Sequence, residues 1–332
     1  MSGGVDSTTT AYLLKKQGYN IFGVTMSTCG KEDKDAKKAC DTLGVPHYLL
    51  DVQEDFNKYV VTYFVDSYVI GDTPNPCVMC NRYIKFGKLL DFIFSKGGIY
   101  MATGHYANII NNKLSAGDDL QKDQVYFLGQ CNKDKLKYIK FPIGDLEKTQ
   151  VRELAKLLNI PVYNKKDSQE ICFVEDGKLK EFLIEKSNGI IGKPGNIIDE
   201  NGNILGTHHG LSFYTIGQRR GIGIAGDNPY YVIKLDGENN QIIVGDNDRV
   251  FKTHLIAKDI NCFLNDINEL NNLILYAKTR SRDDLHKCKV NLTKDNLLHV
   301  EFLEESVRAI TPGQLLVLYD DTQSIIASGF II

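Results

Sequence analysis

The sequence predicts an N-terminal α/β domain on a parallel sheet, then a small β-rich domain and a C-terminal β-barrel. Three observations lead there. From Thr8 to about Leu158 short apolar runs alternate with helical patterns, as stacked strand–helix units require. Beyond about Gly177, glycine-rich turns such as Asp199-Glu-Asn-Gly202 and Leu235-Asp-Gly237 separate runs of strand character. The last part of the chain holds about six more such runs, enough to close a small barrel. At 332 residues the chain exceeds the roughly 100 to 200 of one domain, and the shifts in pattern divide it into 1–176, 177–248 and 249–332.

Each element has its own signal. Thr8 to Gln17 reads as a helix stopped by Gly18, Asn20 to Met26 as a strand, and Asp33 to Leu43 as a helix stopped by Gly44. Pro46 to Val52 is the next strand. Glu54 to Ile70 and Ile84 to Ser95 carry apolar residues at helical spacing, Ile99 to Thr103 is a short buried strand, and Thr149 to Leu158 a closing helix. The barrel runs are Leu255 to Cys262, Leu273 to Thr279, Lys287 to Leu292, Leu297 to Phe302, Gln314 to Tyr319 and Ser324 to Ile331.

Composition narrows the function classes. Hydrophobic residues at 42% and charged residues at 24% suit a folded globular protein. Apolar stretches such as Tyr59 to Val65 fall short of the roughly 18 to 20 residues that span a bilayer, so no membrane contact is expected. The first residues lack a secretory signal, which implies the cytoplasm and reduced thiols for the eight cysteines. A net charge of −3 argues against a protein that coats nucleic acid indiscriminately. A specific RNA partner would need a local basic patch.

Ser2-Gly3-Gly4-Val5-Asp6-Ser7 precedes a helix and can hold a phosphate without a cationic side chain. Its glycines let the backbone approach closely, and the amides of the first turn point at the anion. Ser2 and Ser7 add hydroxyls, and Asp6 is suited to holding Mg²⁺. Taken alone, the string is equally a glycine turn with a serine cap. It resembles the signature of the ATP pyrophosphatase loop family, whose members cleave ATP between the α and β phosphates. That likeness implies ATP as cosubstrate and an adenine nucleotide alpha-hydrolase-like fold, but leaves the acceptor open. Gly221-Ile-Gly223-Ile-Ala-Gly226 matches a dinucleotide pattern literally, yet lies in the β-rich region with no helix signal behind it, and reads as a loop.

Asn75-Pro-Cys77-Val-Met-Cys80 places two thiols after a proline-stiffened loop and just before a helix, with Arg82 and Lys85 near by, which favours depressed thiol pKa values. Cys172 follows Lys165 and Lys166, again favouring an anionic sulfur. The motif Cys77-x-x-Cys80 has no second pair to complete a zinc site. Cys29, Cys40, Cys131, Cys262 and Cys288 stand alone and read as packing residues. Taken singly, His105 reads as a core histidine and Arg219-Arg220 as solvated charge.

Together with Thr103-Gly-His-Tyr-Ala107, Lys122-Asp-Gln-Val-Tyr-Phe127, Gly210-Leu-Ser-Phe-Tyr-Thr-Ile-Gly-Gln-Arg219, Lys278-Thr-Arg280 and Thr311-Pro-Gly-Gln314, these motifs cover nearly the whole chain. In that order they resemble the tRNA-specific 2-thiouridylases. The resemblance implies Cys80 as nucleophile, Cys172 as persulfide carrier with a disulfide between the two after transfer, and Met26 and Gly104 at the nucleotide site. It further implies tRNA contacts from Asn75, Pro76, Cys77, His105, Lys122, Asp123, Gln124, Arg280, Ser281 and Gln314, and a protein that donates or relays sulfur. Its chemistry is sound from first principles. A uracil carbonyl oxygen leaves poorly; AMP placed on O2 of a wobble uridine cures that, and sulfur can then attack C2.

Two departures stand out. Cys77 occupies a position where the family motif has aspartate, so Cys77, Cys80 and Cys172 could hold three irons of a 4Fe-4S cluster, whereas a persulfide relay needs only Cys80 and Cys172. Both routes stay open. The family's loop also follows an apolar strand, while this chain begins inside the motif, so a strand encoded upstream of Met1 is expected. Two other functions fit parts of the pattern: another synthetase of the loop family, and a nonenzymatic tRNA-binding relative.

Overall fold

The computed structural model describes residues 1–28, 34–158, 160, 171–224 and 229–332. Two compact units emerge, one of Met1–Val60, Cys77–Asp167 and Tyr319–Ile326, the other of Val61–Pro76, Ser168–Leu318 and Ala327–Ile332.

In the first unit the α/β character follows the sequence pattern. Gly4 is extended and starts the helix Val5–Lys16, which ends just before Gly18 at φ 87°. Strands Gly23–Ser27 and His47–Asp51 pair in parallel, joined through the helix Lys34–Leu43. A second parallel pair joins Met101–Ala102 to Ile139–Lys140. Among the described residues the parallel sheet thus exists as two separate two-stranded pieces. Strands Ala107–Ile110 and Lys113–Ala116 form a hairpin whose turn residues Asn111 and Asn112 both take positive φ, 50° and 62°, as a tight hairpin turn demands. Helix Lys148–Leu157 buries Val151 and Ala155 against Val5, Tyr106, Ile143 and Ile160.

Two helices depart from the expected form. The run expected at Glu54 to Ile70 is helical but contains a π-helical segment, Asn57–Thr62, between Gln53–Phe56 and Tyr63–Val69. The one expected from Ile84 begins at Pro76, continues as a ten-residue π-helix over Cys80–Leu89 and ends as Leu90–Ser95. Pro76 suits a first helical position because its missing N–H would have no intrahelical partner there. Cys77 and Cys80 therefore lie within the helix rather than ahead of it.

In the second unit, a helix at Leu179–Lys186 interrupts the stretch read as purely β-rich. Leu179, Phe182 and Leu183 pack it on Phe64, Val65, Tyr68 and Phe173. Four strands follow in the order Ile204–His208, Gly195–Ile198, Gln241–Gly245, Tyr231–Asp236, over a core of Ile197, Leu211, Tyr214, Val232, Ile242 and Val244. Gly221 and Gly223 take positive φ in a loop, as expected; Gly226 lies outside the described residues.

Strands His254–Cys262, Ile274–Lys278, His286–Leu292, Leu298–Phe302, Leu315–Tyr319 and Ile325–Ile331 close a barrel, adjacent in the order first, fourth, third, second, fifth, sixth. Alternation dictates it: Leu298, Val300 and Phe302 point inward while His299 and Glu301 face out.

Phe64 is fully buried and sits edge-on to both Tyr68 and Phe173, with ring centroids 5.0 and 5.4 Å away. Phe64→Ala is expected to cost about 3–5 kcal/mol, read as a lowered midpoint in urea denaturation.

Candidate active site

The phosphate loop closes on itself. Ser2 N donates to Ser7 Oγ at 3.2 Å, the two serine hydroxyls lie 3.1 Å apart, and Ser7 Oγ donates to Gly4 O at 3.2 Å. Gly3 takes φ 64°, a conformation that glycine adopts without strain. The first intrahelical bond runs from Thr8 N to Gly4 O, so the preceding amides of the first turn have no intrahelical acceptor.

One segment braces this loop. A β-carbon on Gly104 would lie 2.8 Å from the Asp6 carbonyl carbon and 2.9 Å from Ser7 N, so only glycine allows the approach. Two residues on, the Tyr106 hydroxyl donates to Asp6 Oδ1 at 2.9 Å, and Lys148 Nζ lies 2.7 and 2.8 Å from the two Asp6 oxygens. Gln124 holds Tyr106 twice: its Oε1 accepts from Tyr106 N at 3.1 Å and its own N–H donates to Tyr106 O at 2.8 Å.

His105, between these two residues, faces the cysteine helix. Its Nε2 lies 3.4 Å from Lys85 Nζ and its Nδ1 2.8 Å from Thr103 Oγ1. Burial, assisted by the Lys85 charge, pushes the His105 pKa well below the ordinary range. The ring is neutral: Nε2 accepts from the ammonium, and the proton sits on Nδ1. Lys85 belongs to the π-helical segment that opens at Cys80, and that segment is pinned by Asn81 Nδ2 donating to Phe127 O at 3.0 Å and Arg82 Nη1 donating to Gln130 Oε1 at 2.7 Å. Such widened turns recur at functional sites. Met26 sits half-buried in the strand Gly23–Ser27.

The chain matches the family described as tRNA methyl transferase HUP domain over residues 1–176, a tRNA methyl transferase PRC-barrel domain over 180–246, and an aminomethyltransferase β-barrel domain over 252–331. It is 60% identical over 332 residues to tRNA-specific 2-thiouridylase MnmA 1 of Fusobacterium nucleatum, covering 100% of this chain and 91% of that one. It is 42% identical to the protein of that name from Clostridium tetani, over 96% and 92% of the two chains, and 40% identical to the MnmA of Clostridium beijerinckii, over 100% and 97%. The chain belongs to the tRNA-specific 2-thiouridylase family.

Several residues expected to meet tRNA in a thiouridylase also hold the protein's own loops. Asp123 Oδ1 accepts from Gly117 N and Val125 N, so this side chain shapes its own loop, as Gln124 does for Tyr106. Lys122 is half-buried beside them. Gln314 Nε2 donates to Thr73 O at 2.6 Å, within the second unit. His105 is buried. Arg280 remains exposed, its Nη2 donating to Arg308 O at 3.0 Å, with Ser281 half-buried beside it. Asn75 is half-buried and Pro76 buried where the cysteine helix starts. Cys172 is exposed on a turn of the second unit; Lys165 and Lys166, expected to draw out its anion, lie outside the described residues, as does Cys29. Lys148 went unread in the sequence, because a lysine opening an amphipathic helix looks like ordinary surface charge.

Asp6 does not fit magnesium as it stands, because its two oxygens are already engaged by an ammonium and a phenol. Among the described residues no group of three His, Cys, Asp or Glu side chains is placed to hold a metal ion. The expectation of a depressed thiol at Cys77 is reversed. Although the residue is exposed, the protein crowded around its sulfur pushes the thiol pKa up, and Lys85 only partly opposes this.

A raised pKa means less thiolate at any pH below it. Alkylation of Cys77 by iodoacetamide, followed by peptide mass mapping, should reach its half-maximal rate at a higher pH than the same peptide in the unfolded chain. Lys85→Met should move that midpoint further up. A midpoint at or below the unfolded control would contradict the assignment.

Proposed function

We propose that this protein is a tRNA-uridine 2-sulfurtransferase that converts the wobble uridine of tRNA to 2-thiouridine at the expense of ATP. The observation that carries this reading is the double attachment of residues 103–106. Gly104 and Tyr106 meet the phosphate loop at Asp6, while His105 meets Lys85 on the cysteine helix, so one short segment ties nucleotide chemistry to thiol chemistry. Methyl transfer, the activity named for two of the matching domains, would leave both features without a role. Another synthetase of the loop family would leave the thiols unused.

In the proposed reaction, O2 of the uridine attacks the α-phosphorus of ATP, the bond to the bridging oxygen breaks, and pyrophosphate leaves. Amides of the loop's first turn face the phosphates. The terminal sulfur of a Cys172 persulfide then attacks C2, and AMP departs with the former O2. Cys80 attacks Cys172 Sγ, the S–S bond breaks, the sulfur stays on C2, and a Cys80–Cys172 disulfide forms that an external thiol reduces. A sulfur-donor or relay protein recharges Cys172. We assign catalysis to 1–176 with Ser2 to Ser7, Met26 and Gly104 at the nucleotide, a connecting role to 177–248, and tRNA contacts to 249–332 through Arg280 and Ser281, joined by Lys122 and Asn75. Cytoplasmic tRNA is the substrate pool.

The identity of Cys77 favours a second route, in which Cys77, Cys80 and Cys172 bind an iron–sulfur cluster. Cys77→Ser decides between them: tRNA thiolation by an iron-free preparation supplied with a persulfide donor should be largely retained. Loss of thiolation together with visible absorption from an iron- and sulfide-reconstituted sample would support the cluster.

The division of labour is testable by pyrophosphate release and tRNA binding on the same preparations. Asp6→Asn, which spares the packing at Gly104, should abolish tRNA-dependent pyrophosphate release while tRNA binding survives. Arg280→Ala should weaken tRNA binding and lower its salt dependence by about one phosphate contact. Equal loss of both activities in either variant would undo the assignment, and wild-type enzyme that binds tRNA without releasing pyrophosphate would identify a nonenzymatic relative.

A further inference from the structure

The phosphate loop Ser2 to Ser7 contains no basic residue, so a triphosphate resting on it would meet amides and hydroxyls but no cation belonging to the loop. The fold brings one from far along the chain. Lys148 Nζ sits 2.7 and 2.8 Å from the two oxygens of Asp6, a first-turn residue of the loop's helix. Its side chain is only 10% exposed, against 54% for Lys37 and 52% for Lys88 in ordinary surface pairs. An ammonium is strongly hydrated, and a protein that buries one must supply a partner.

Everything around Lys148 fixes its position. Its backbone N–H donates to Asp119 Oδ2 at 3.0 Å, and it opens the helix Lys148–Leu157 behind a capping box of Glu147 and Gln150. The ammonium lies over the ring of Tyr106, 5.4 Å from its centroid, while the hydroxyl of that ring donates to Asp6. A structural neutraliser of Asp6 would satisfy the charge balance, but it would need no placement beside a first turn whose amides have no intrahelical acceptor.

We infer that Lys148 is the phosphate-binding cation of the loop, held on Asp6 until a nucleotide arrives. The inference rests on the ATP reading above. An entering phosphate takes the ammonium from Asp6, so the free enzyme keeps its buried charges paired and the loaded enzyme gains a charge-assisted hydrogen bond to the nucleotide. Asp6 then competes with phosphate for Lys148. Removing its charge should tighten, not loosen, the binding of metal-free nucleotide.

The test is equilibrium binding of ATP and of adenosine to the full-length protein by calorimetry in chelator-treated buffer. Lys148→Met should weaken ATP binding about ten- to a hundredfold and leave adenosine unchanged, with Lys148→Arg recovering most of the loss. Asp6→Asn should bind ATP more tightly than wild type. Because Lys148→Met strands the Asp6 charge, the neutral pair Asp6→Asn/Lys148→Met serves as the folded control, and it too should lose ATP affinity relative to Asp6→Asn alone. ATP binding that is indifferent to Lys148, equal losses for ATP and adenosine, or no gain from Asp6→Asn would overturn the inference while leaving ATP as ligand. Wild-type protein that binds neither ligand would overturn the ATP reading and the inference together.

Discussion

Gly104 packs so closely on Asp6 that no side chain can stand between them, and the geometry of the Ser2–Ser7 loop depends on that contact. Because the backbone of 104 touches the backbone of 6, Tyr106 reaches Asp6 with its hydroxyl and His105 is turned toward Lys85. The register of this segment is set in turn by the strand Met101–Ala102 and by Thr103 N donating to Lys140 O at 3.2 Å. A shift of one residue would put a β-carbon where none fits and withdraw the phenol from the carboxylate. The loop is thus held by packing and hydrogen bonds of its neighbours as much as by its own two-serine closure.

Burial tunes the thiol side of the site in one direction. His105 loses its charge because water is excluded and an ammonium lies beside it, and Cys77 keeps its proton because crowding outweighs Lys85. The same dense surroundings push buried Cys131, near Lys85 and Arg82, up to about 12. Positive charge near a cysteine therefore does not by itself make a thiolate; it must exceed the desolvation penalty. In this helix it does not at Cys77, whatever residue another member of the family carries there.

Much of the architecture was legible in the sequence because its signals are local. Each of the six barrel strands lies within one residue of the run that strand alternation marked, since inward and outward positions alternate cleanly along strands such as Leu298–Phe302. The glycine turn at Gly3–Gly4 and the helix behind it were equally plain. Other features were not. The helix Leu179–Lys186 rests on apolar residues at 179, 182 and 183 whose partner face, Phe64 and Val65, lies far away in sequence. The π-helical winding at Cys80–Leu89 has no composition of its own, and the Asp6–Lys148 pair joins residues 142 positions apart in the chain. Charge prediction at Cys77 failed for the same reason, because burial is a tertiary property.

In the second unit a barrel loop clasps the stretch that leads to Pro74. Thr73 N donates to Pro312 O at 2.9 Å and Thr73 O accepts from Gln314 Nε2 at 2.6 Å, so the extended stretch before Pro74 is clasped on both of its backbone groups. Gly313, at φ 86°, permits this, because a β-carbon there would lie 2.8 Å from Asp72 Cβ and 3.0 Å from Thr73 N. Asp72 is correspondingly desolvated, which raises its pKa while Lys258 opposes the rise. The Thr311-Pro-Gly-Gln314 motif, for which the family resemblance implies an RNA contact at Gln314, also holds this stretch of the second unit. The bond to Thr73 O uses one of the two Gln314 amide hydrogens, so Oε1 and the other hydrogen can still serve a further partner.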